Sequence, residues 1–378
     1  MRTAPTAAEL PPPSPEALEA SRALLRVLED ELAASQNWMP FARYMELALH
    51  APGLGYYAAG SRKLGAEGDF ITAPELSPLF GRTLARQMAQ VLRPGEAILE
   101  FGAGSGALAE AIVGDLDAPY FILETSPDLR ERQQARLGAR VQWLDTLPRN
   151  FRGVMLANEV LDAMPVHLMA WTASGILERG VTANEGQLAW ADRPAEGMAL
   201  ALARKVAVEL PPSGRYVSEV GLLGRLWLRS LARILERGAI FLIDYGFPAR
   251  EYYHPQRSMG TLACHYRHHV HDDPFYLPGL QDITAHVDFS ALATAARDGG
   301  LDLLGYASQA QFLVNCGITD LLAQLDPSDA PRYLPAAAAA QKLLSPSEMG
   351  ELFKVLAVGK GVEDPLTGFS QGDRTHAL

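Results

Sequence analysis

The chain has 378 residues, 48% of them hydrophobic and 20% charged, with a formal net charge of −11 at pH 7. This is the composition of a globular protein with core enough for one large domain or two ordinary ones. No apolar stretch approaches the roughly 18 residues that cross a bilayer, the negative balance argues against broad contact with nucleic-acid phosphates, and Cys264 and Cys316, far apart and outside any CxxC pair, are expected as free thiols.

In chain order, residues 1–15 are Pro-rich and PEALEASRALLRVLEDELAAS (15–35) predicts an amphipathic helix. The N-terminus has no apolar core segment and is not basic, so neither a secretory signal nor a transit peptide is read there and a cytoplasmic location is expected. WMPFARYMELALHAPGLGYY (38–57) continues as helix and then turn, SRKLGAEGDFITAPELS reads as a glycine-rich loop, and a helix follows over 79–92. The next segments alternate: strand 97–101, helix from about 106, strand 120–124, helix from SPDLRERQ, strand 140–144, strand 154–158. Alternation of this kind predicts a parallel sheet with a ligand at the carboxyl ends of its strands. Short runs punctuated by Gly175, Gly180 and Gly186 suggest inserted antiparallel hairpins over about 166–210. Helix 222–236 and strand 239–246 restore the alternation, 247–288 reads as loop, and 301–308 and 353–361 read as closing strands separated by helices. The scarcity of Lys beside Arg, in a chain rich in Ala and Gly, points to a bacterial genome rich in G+C.

The most informative stretch is ILEFGAGSGALAE (98–110), with strand, glycine turn and helix in succession. Gly102, Gly104 and Gly106 allow close approach of the backbone to a nucleotide-like cofactor. Gly102, Gly104 and Ala107 also satisfy the loose dinucleotide pattern, so the neighbours must discriminate. Glu100 ends the strand and no Lys or Arg occurs from Ala97 to Asp128, which suits an ammonium better than a pyrophosphate. S-adenosylmethionine carries an amino-acid end, a sulfonium and a ribose, and no phosphate. Glu124, about 20 residues beyond the loop, ends YFILETS where a carboxylate can take both ribose hydroxyls, a geometry that serves NAD equally.

Four acidic motifs fall where loops should converge on that cofactor. GDFITAPE supplies Asp69 and Glu75, ANEVLDAMP supplies Asn158, Glu159 and Asp162, LIDYG supplies Asp244 and Tyr245, and DITAHVDF supplies Asp282, His286 and Asp288. A helix N-cap alone would explain Asn158 but needs neither Glu159 nor Asp162. CHYRHHVHDD (264–273) holds four histidines, yet its spacing matches no helical zinc motif and adjacent His268 and His269 point apart on an extended segment, so no metal is expected. Walker A and G-x-S-x-G sequences are absent.

Together, LEFGAGSG, the end of YFILETS, GDFITAPELSPLFG, ANEVLDAMPVH, LIDYG and DITAHVDFSAL resemble the MidA-like class I methyltransferases over roughly residues 40–360. That family includes the mitochondrial protein-arginine methyltransferase that helps assemble respiratory complex I. The resemblance implies an α/β fold, a Rossmann-like seven-stranded sheet with an N-terminal helical extension, part of it a lid, and inserted hairpins. It implies S-adenosyl-L-methionine as cofactor, with Gly102, Ala103, Gly104 and Gly106 against its methionine part, Glu124 on the ribose, and Asp145 and Thr146 near the adenine. Thr72, Pro74 and Glu75, with Asn158 and Glu159, would line the meeting point of sulfonium and acceptor. If the acceptor is a guanidinium, Glu75 and Glu159 are candidates to hold it and His286 or Asp288 to accept its proton. In the resemblance Ala103 and Ser105 fill variable loop positions, and the Cys-His-Tyr-Arg-His-His segment (264–269) is not matched.

The expected organisation is a tail and helix (1–36), a helical lid segment (37–95), a methyltransferase domain (96–361) with insertions at about 166–210 and 247–288, and a tail (362–378). The expected function is methylation of a protein arginine, symmetric by family analogy, on a respiratory complex I-type subunit. A nicotinamide-dependent oxidoreductase and a non-catalytic assembly factor built on the same fold are the competing assignments. Oligomeric state is not legible.

Overall fold

The computed structural model describes residues 10–58, 72–184 and 186–378. Asp69, most of the glycine-rich loop that carries it and the start of the Pro-rich tail lie outside the described residues. A central sheet is built from β1 (Ala97–Phe101), β2 (Tyr120–Leu123), β3 (Gln142–Leu144), β4 (Phe151–Asn158), β5 (Leu235–Phe247), β6 (Asp302–Ser308) and β7 (Phe353–Lys360). Their spatial order is β6-β7-β5-β4-β1-β2-β3. The strands from β5 to β3 run parallel, while β7 is antiparallel to both of its neighbours. An eighth strand, Val287–Asp288, pairs with Gly246 and Phe247 at the carboxyl end of β5. The resemblance implied seven strands; the two-residue eighth is too short to show an alternation in sequence.

Strands β1, β4 and β5 are near-continuous apolar runs because helices cover both faces of a parallel sheet. On one face Phe80, Leu84 and Met88 of helix Pro78–Val91 pack with Leu108, Ile112, Phe312 and Leu343. On the other, Leu228 and Leu231 of helix Leu222–Ile234 pack with Phe289 and Leu292 of helix Phe289–Asp298. The chain leaves β1 toward β2 and β3, then returns to β4 on the other side of β1. Loops at the carboxyl ends of β1 and β4 therefore diverge and open a crevice between them.

Residues 167–220 form an antiparallel sheet of His167–Thr172, Gly175–Asn184, Gln187–Pro194 and Arg215–Val220, with Met39–Pro40 added at its edge. Helix Pro15–Ala34 begins at Ser14, whose hydroxyl accepts the Ala17 N–H at 3.2 Å, and buries Leu24, Leu28 and Leu32 on one stripe. That stripe meets Phe41, Tyr44 and Met45 of helix Phe41–His50, together with Val181, Cys264 and Ile283. The N-terminal helices and the inserted strands thus share a core of their own. The segment read as loop over 247–288 instead contains helix Ala249–Tyr252 and a small sheet of Ala263–Tyr266, His269–His271 and Asp282–Thr284. Its strands are three or four residues long and rich in His and Asp, so pairing rather than apolar alternation defines them. Both cysteines are buried and free.

Candidate active site

The glycine turn after β1 is held open by backbone geometry. Gly102 and Gly104 have φ of 59° and 56°, a left-handed region that suits glycine. A Cβ on Gly102 would stand 3.1 Å from Val160 Cγ2. The buried amide of Gln133, on helix Pro127–Leu137, ties this turn to the tip of β2. Its Nε2 donates to the Gly104 carbonyl at 2.9 Å and to Glu124 Oε2 at 3.0 Å, while its Oε1 accepts the Trp143 indole N–H at 2.9 Å. Glu124 Oε1 also accepts the Ser126 backbone N–H at 2.9 Å. Glu100 is buried and accepts the Tyr120 hydroxyl at 2.7 Å. Burial pushes Glu100 up to about 7, against the Tyr120 hydrogen bond and with the help of Glu124. Burial likewise raises Glu124, against its hydrogen bonds to Ser126 and Gln133.

The tip of β4 supplies a second group of carboxylates. Glu159 sits at φ 51°, unusual for a residue with a long side chain, and its N–H donates to the Ile243 carbonyl of β5 at 2.9 Å. Asn158 Nδ2 donates to Glu159 Oε1 at 3.0 Å. Burial pushes Glu159 up to about 8 and Asp162 adds repulsion, while Asn158 and the Ala73 N–H work the other way. Asp244 locks the turn: it accepts the N–H groups of Leu161, Asp162 and Tyr245 at 3.0, 3.2 and 2.9 Å. Asp162 is raised to about 6 by burial, opposed by the Tyr245 hydroxyl. Burial, then Asp162 and Glu159, hold Asp244 well above the usual carboxylate range. The Tyr57 hydroxyl donates to Asp282 at 3.0 Å.

These elements enclose a cavity that is partly open to solvent. It brings together Thr72, Pro74, Glu75, Glu100, Gly102, Ala103, Gly104, Glu124, Asn158 and Glu159. Glu75 accepts the Ser105 hydroxyl and lies 3.9 Å from Arg136 Nη1, which places it on the rim. Besides Asp162, Asp244, Tyr245 and Asp282, five further residues singled out in the sequence do not line the cavity. Gly106 is the left-handed N-cap of helix Ala107–Asp115, packed against Leu137. Asp145 is exposed and paired with Arg130 at 2.5 Å, and Thr146 follows it outside the lining. His286 stacks on Phe247 at 5.4 Å beside Tyr245, in a separate small cavity, where burial pushes it down to about 4. Asp288 caps helix Phe289–Asp298 through the Ala291 N–H at 3.0 Å and accepts the Tyr253 hydroxyl at 3.2 Å.

Other lining residues were not singled out in the sequence: His50 and Tyr57, outside the quoted motifs, and Thr125, Val160 and Ala163, inside them. Basic charge near the glycine turn was also missed. No Lys or Arg occurs from 97 to 128, yet Arg136 reaches back from its helix to Ser105 Oγ at 2.9 Å. Its charge is met by Glu110, 2.8 Å from Nε, so it adds little free positive potential to the turn.

Comparison with known proteins assigns the chemistry. A family model for S-adenosyl-L-methionine-dependent methyltransferases matches residues 79–307. The chain is 29% identical to "Protein arginine methyltransferase NDUFAF7, mitochondrial" of Danio rerio, covering 89% of this chain and 87% of that protein. It is 30% identical to the Bos taurus protein of the same name, covering 84% and 79%. Among solved structures, a COG1565 superfamily member from Burkholderia thailandensis, bound to S-adenosyl-homocysteine, superposes with a TM-score of 0.93 at 50% identity, covering 98% of this chain and 100% of that one.

The residues present fit S-adenosylmethionine. The turn at Gly102 and Gly104 presents backbone without side chains, the Asn158 Oδ1 is buried with no hydrogen-bond partner among the described residues, and the carboxylates of Glu100 and Glu124 match an ammonium and a ribose diol. When bound, this cofactor supplies a methyl group activated by its sulfonium. Fold, cavity and family agree against an oxidoreductase or a catalytically idle scaffold: the chain belongs to the S-adenosyl-L-methionine-dependent methyltransferases represented by this family model and is an enzyme that uses that cofactor.

Proposed function

We propose that the enzyme methylates an arginine of a partner protein, with symmetric dimethylation as the end product, on a subunit of respiratory complex I type, and that it works in the cytoplasm. The observation that carries this assignment is the convergence of Glu159, Asp162 and Asp244 beside the cavity, with no Lys or Arg among the described lining residues. Such a cluster is costly while it faces no cation, and a guanidinium, cationic at neutral pH and rich in N–H donors, relieves it. The curated relatives named protein arginine methyltransferase support the same acceptor chemistry.

In this assignment Gly102, Ala103 and Gly104 pass under the methionine part of the cofactor, Glu100 takes its amino group and Glu124 its ribose. Glu159 holds the guanidinium so that one nitrogen faces the methyl, and Glu75 orders the rim with Thr72 and Pro74. Alignment supplies most of the catalysis in an in-line transfer. The nitrogen that gains the methyl sheds a proton, and Glu159, raised by burial to about 8, is suited to accept it near neutral pH. Glu75→Gln and Glu159→Gln test the pair: both variants should retain S-adenosylhomocysteine binding by calorimetry, and Glu159→Gln should lose methyl transfer. Near wild-type rates in both would overturn the acceptor assignment.

A further inference from the structure

A second groove, sharing no lining residue with the cofactor cavity, runs between the segment Leu202–Ala207, helix Leu222–Ile234, helix Ala249–Tyr252 and helix Phe289–Asp298. It is open to solvent. Three cations line it, Lys205, Arg225 and Arg250, against a single carboxylate, Asp288, among its described lining residues. That carboxylate is already engaged by the Ala291 N–H and the Tyr253 hydroxyl. Arg225 Nη2 stands 3.8 Å from Asp288, beyond hydrogen-bond reach.

Arg225 is the informative residue. Its side chain is only 16% exposed, and its Nε is buried with no hydrogen-bond partner among the described residues. A guanidinium largely removed from water, its Nε–H unmet and its ion pair to Asp288 as long as 3.8 Å, leaves room for a further anionic acceptor. The side chains of Lys205 and Arg250 are exposed and make no ion pair among the described residues. In a chain of net charge −11, a groove with three cations runs against the overall field and offers an acidic ligand a place where it is attracted. The wall between the cations is apolar, with Leu202, Val206 and Ala249, which suits side chains of a peptide better than a bare inorganic anion.

We infer that this groove binds an acidic segment of a partner protein, its carboxylates against Lys205, Arg225 and Arg250 and an apolar side chain between Leu202, Val206 and Ala249. Bidentate recognition by Arg and rim contacts by Lys are the recurrent means of holding such segments.

The test is fluorescence anisotropy of a fluorescein-labelled Glu-Leu-Glu-Glu-Leu-Glu peptide, with a Gln-for-Glu peptide as control, at about 50 mM salt, where surface charges are weakly screened. Wild-type enzyme should bind the acidic peptide. The Lys205→Glu/Arg250→Glu double variant should bind it roughly tenfold or more weakly, as should wild type toward the Gln peptide. S-adenosylhomocysteine calorimetry on the double variant, expected unchanged, establishes that it is folded. Equal binding by wild type and variant, no binding by either, or displacement by inorganic phosphate with no preference for Glu over Gln would overturn the proposal.

Discussion

Replacing Glu159 by Gln isolates its charge, because the amide keeps the size of the side chain and can still accept from Asn158 Nδ2 and the Ala73 N–H. Removing one member of a desolvated charge pair costs about 2–5 kcal/mol. Glu159 keeps some exposure to the cavity, so the low end applies, about 2–3 kcal/mol, or about 30–150-fold in kcat/KM for an arginine acceptor. The pH profile adds a signature. The free enzyme's Glu159 must ionise to hold the cation and its carboxyl is pushed up to about 8, so wild-type kcat/KM should climb through neutral pH and level off above about 8. The Gln variant should lack that limb. Stability moves the opposite way. The folded-state value lies above the ordinary 4.5, so the stabilising contribution of the protonated carboxyl is complete below that value and is lost as pH rises through about 8. Glu159→Gln should therefore melt higher than wild type at about pH 8.5, by on the order of 1–3 kcal/mol after allowance for exposure, and match it near pH 4.5. Initial rates with labelled cofactor across pH, beside thermal melts of the same samples, measure both. An identical pH limb in both enzymes with under about a threefold loss of kcat/KM would refute the reasoning.

Gly104→Val puts a β-branched residue at φ 56°, a strain of about 1–2 kcal/mol, and fills the cofactor path. Calorimetry should show S-adenosylhomocysteine affinity lowered by more than about 100-fold with the far-ultraviolet spectrum retained, and unchanged affinity would mean the turn does not meet the cofactor. Gln133→Leu leaves the Gly104 carbonyl, Glu124 and the Trp143 N–H each short of a partner. Denaturant melts should report about 2–4 kcal/mol of lost stability, with weaker cofactor binding, and a neutral outcome would remove Gln133 from the support of the loop. Asp288→Ala should cost about 1–2 kcal/mol through the lost helix cap, and Asp288→Asn, which caps as well, should restore stability and turn over near the wild-type rate. A dead but stable Asp288→Asn enzyme would instead make Asp288 a proton acceptor.

Residues at strand tips were legible because period and punctuation locate them. An apolar run ended by Glu100 and three glycines, and another ended by Asn158 and Glu159, announce themselves without tertiary information, and both line the cavity. Gln133, Trp143, Tyr57 and His50 were not legible, since each reaches the site from an element whose position depends on packing against the sheet. Arg136 makes the same point with charge: a segment without Lys or Arg in sequence acquired one in space. Asp145 follows β3 as the resemblance implied, but its pairing with Arg130 turns it to the surface. Asp288 could have been read differently, because Asp ahead of a run of helix-forming residues is an N-cap signature, and the acidic-motif pattern overshadowed it. The short strands between 263 and 284 were missed because three or four residues carry too little alternation to register.

Methylation of protein arginine is tested by incubating purified enzyme and methyl-labelled S-adenosylmethionine with lysate from a strain lacking the gene, then locating the label by mass spectrometry. Label is expected on guanidino nitrogens of one dominant protein, progressing to symmetric dimethylarginine and abolished by Glu159→Gln. Label on lysine, on a carboxyl group or on a small molecule, with arginine unlabelled, would contradict it.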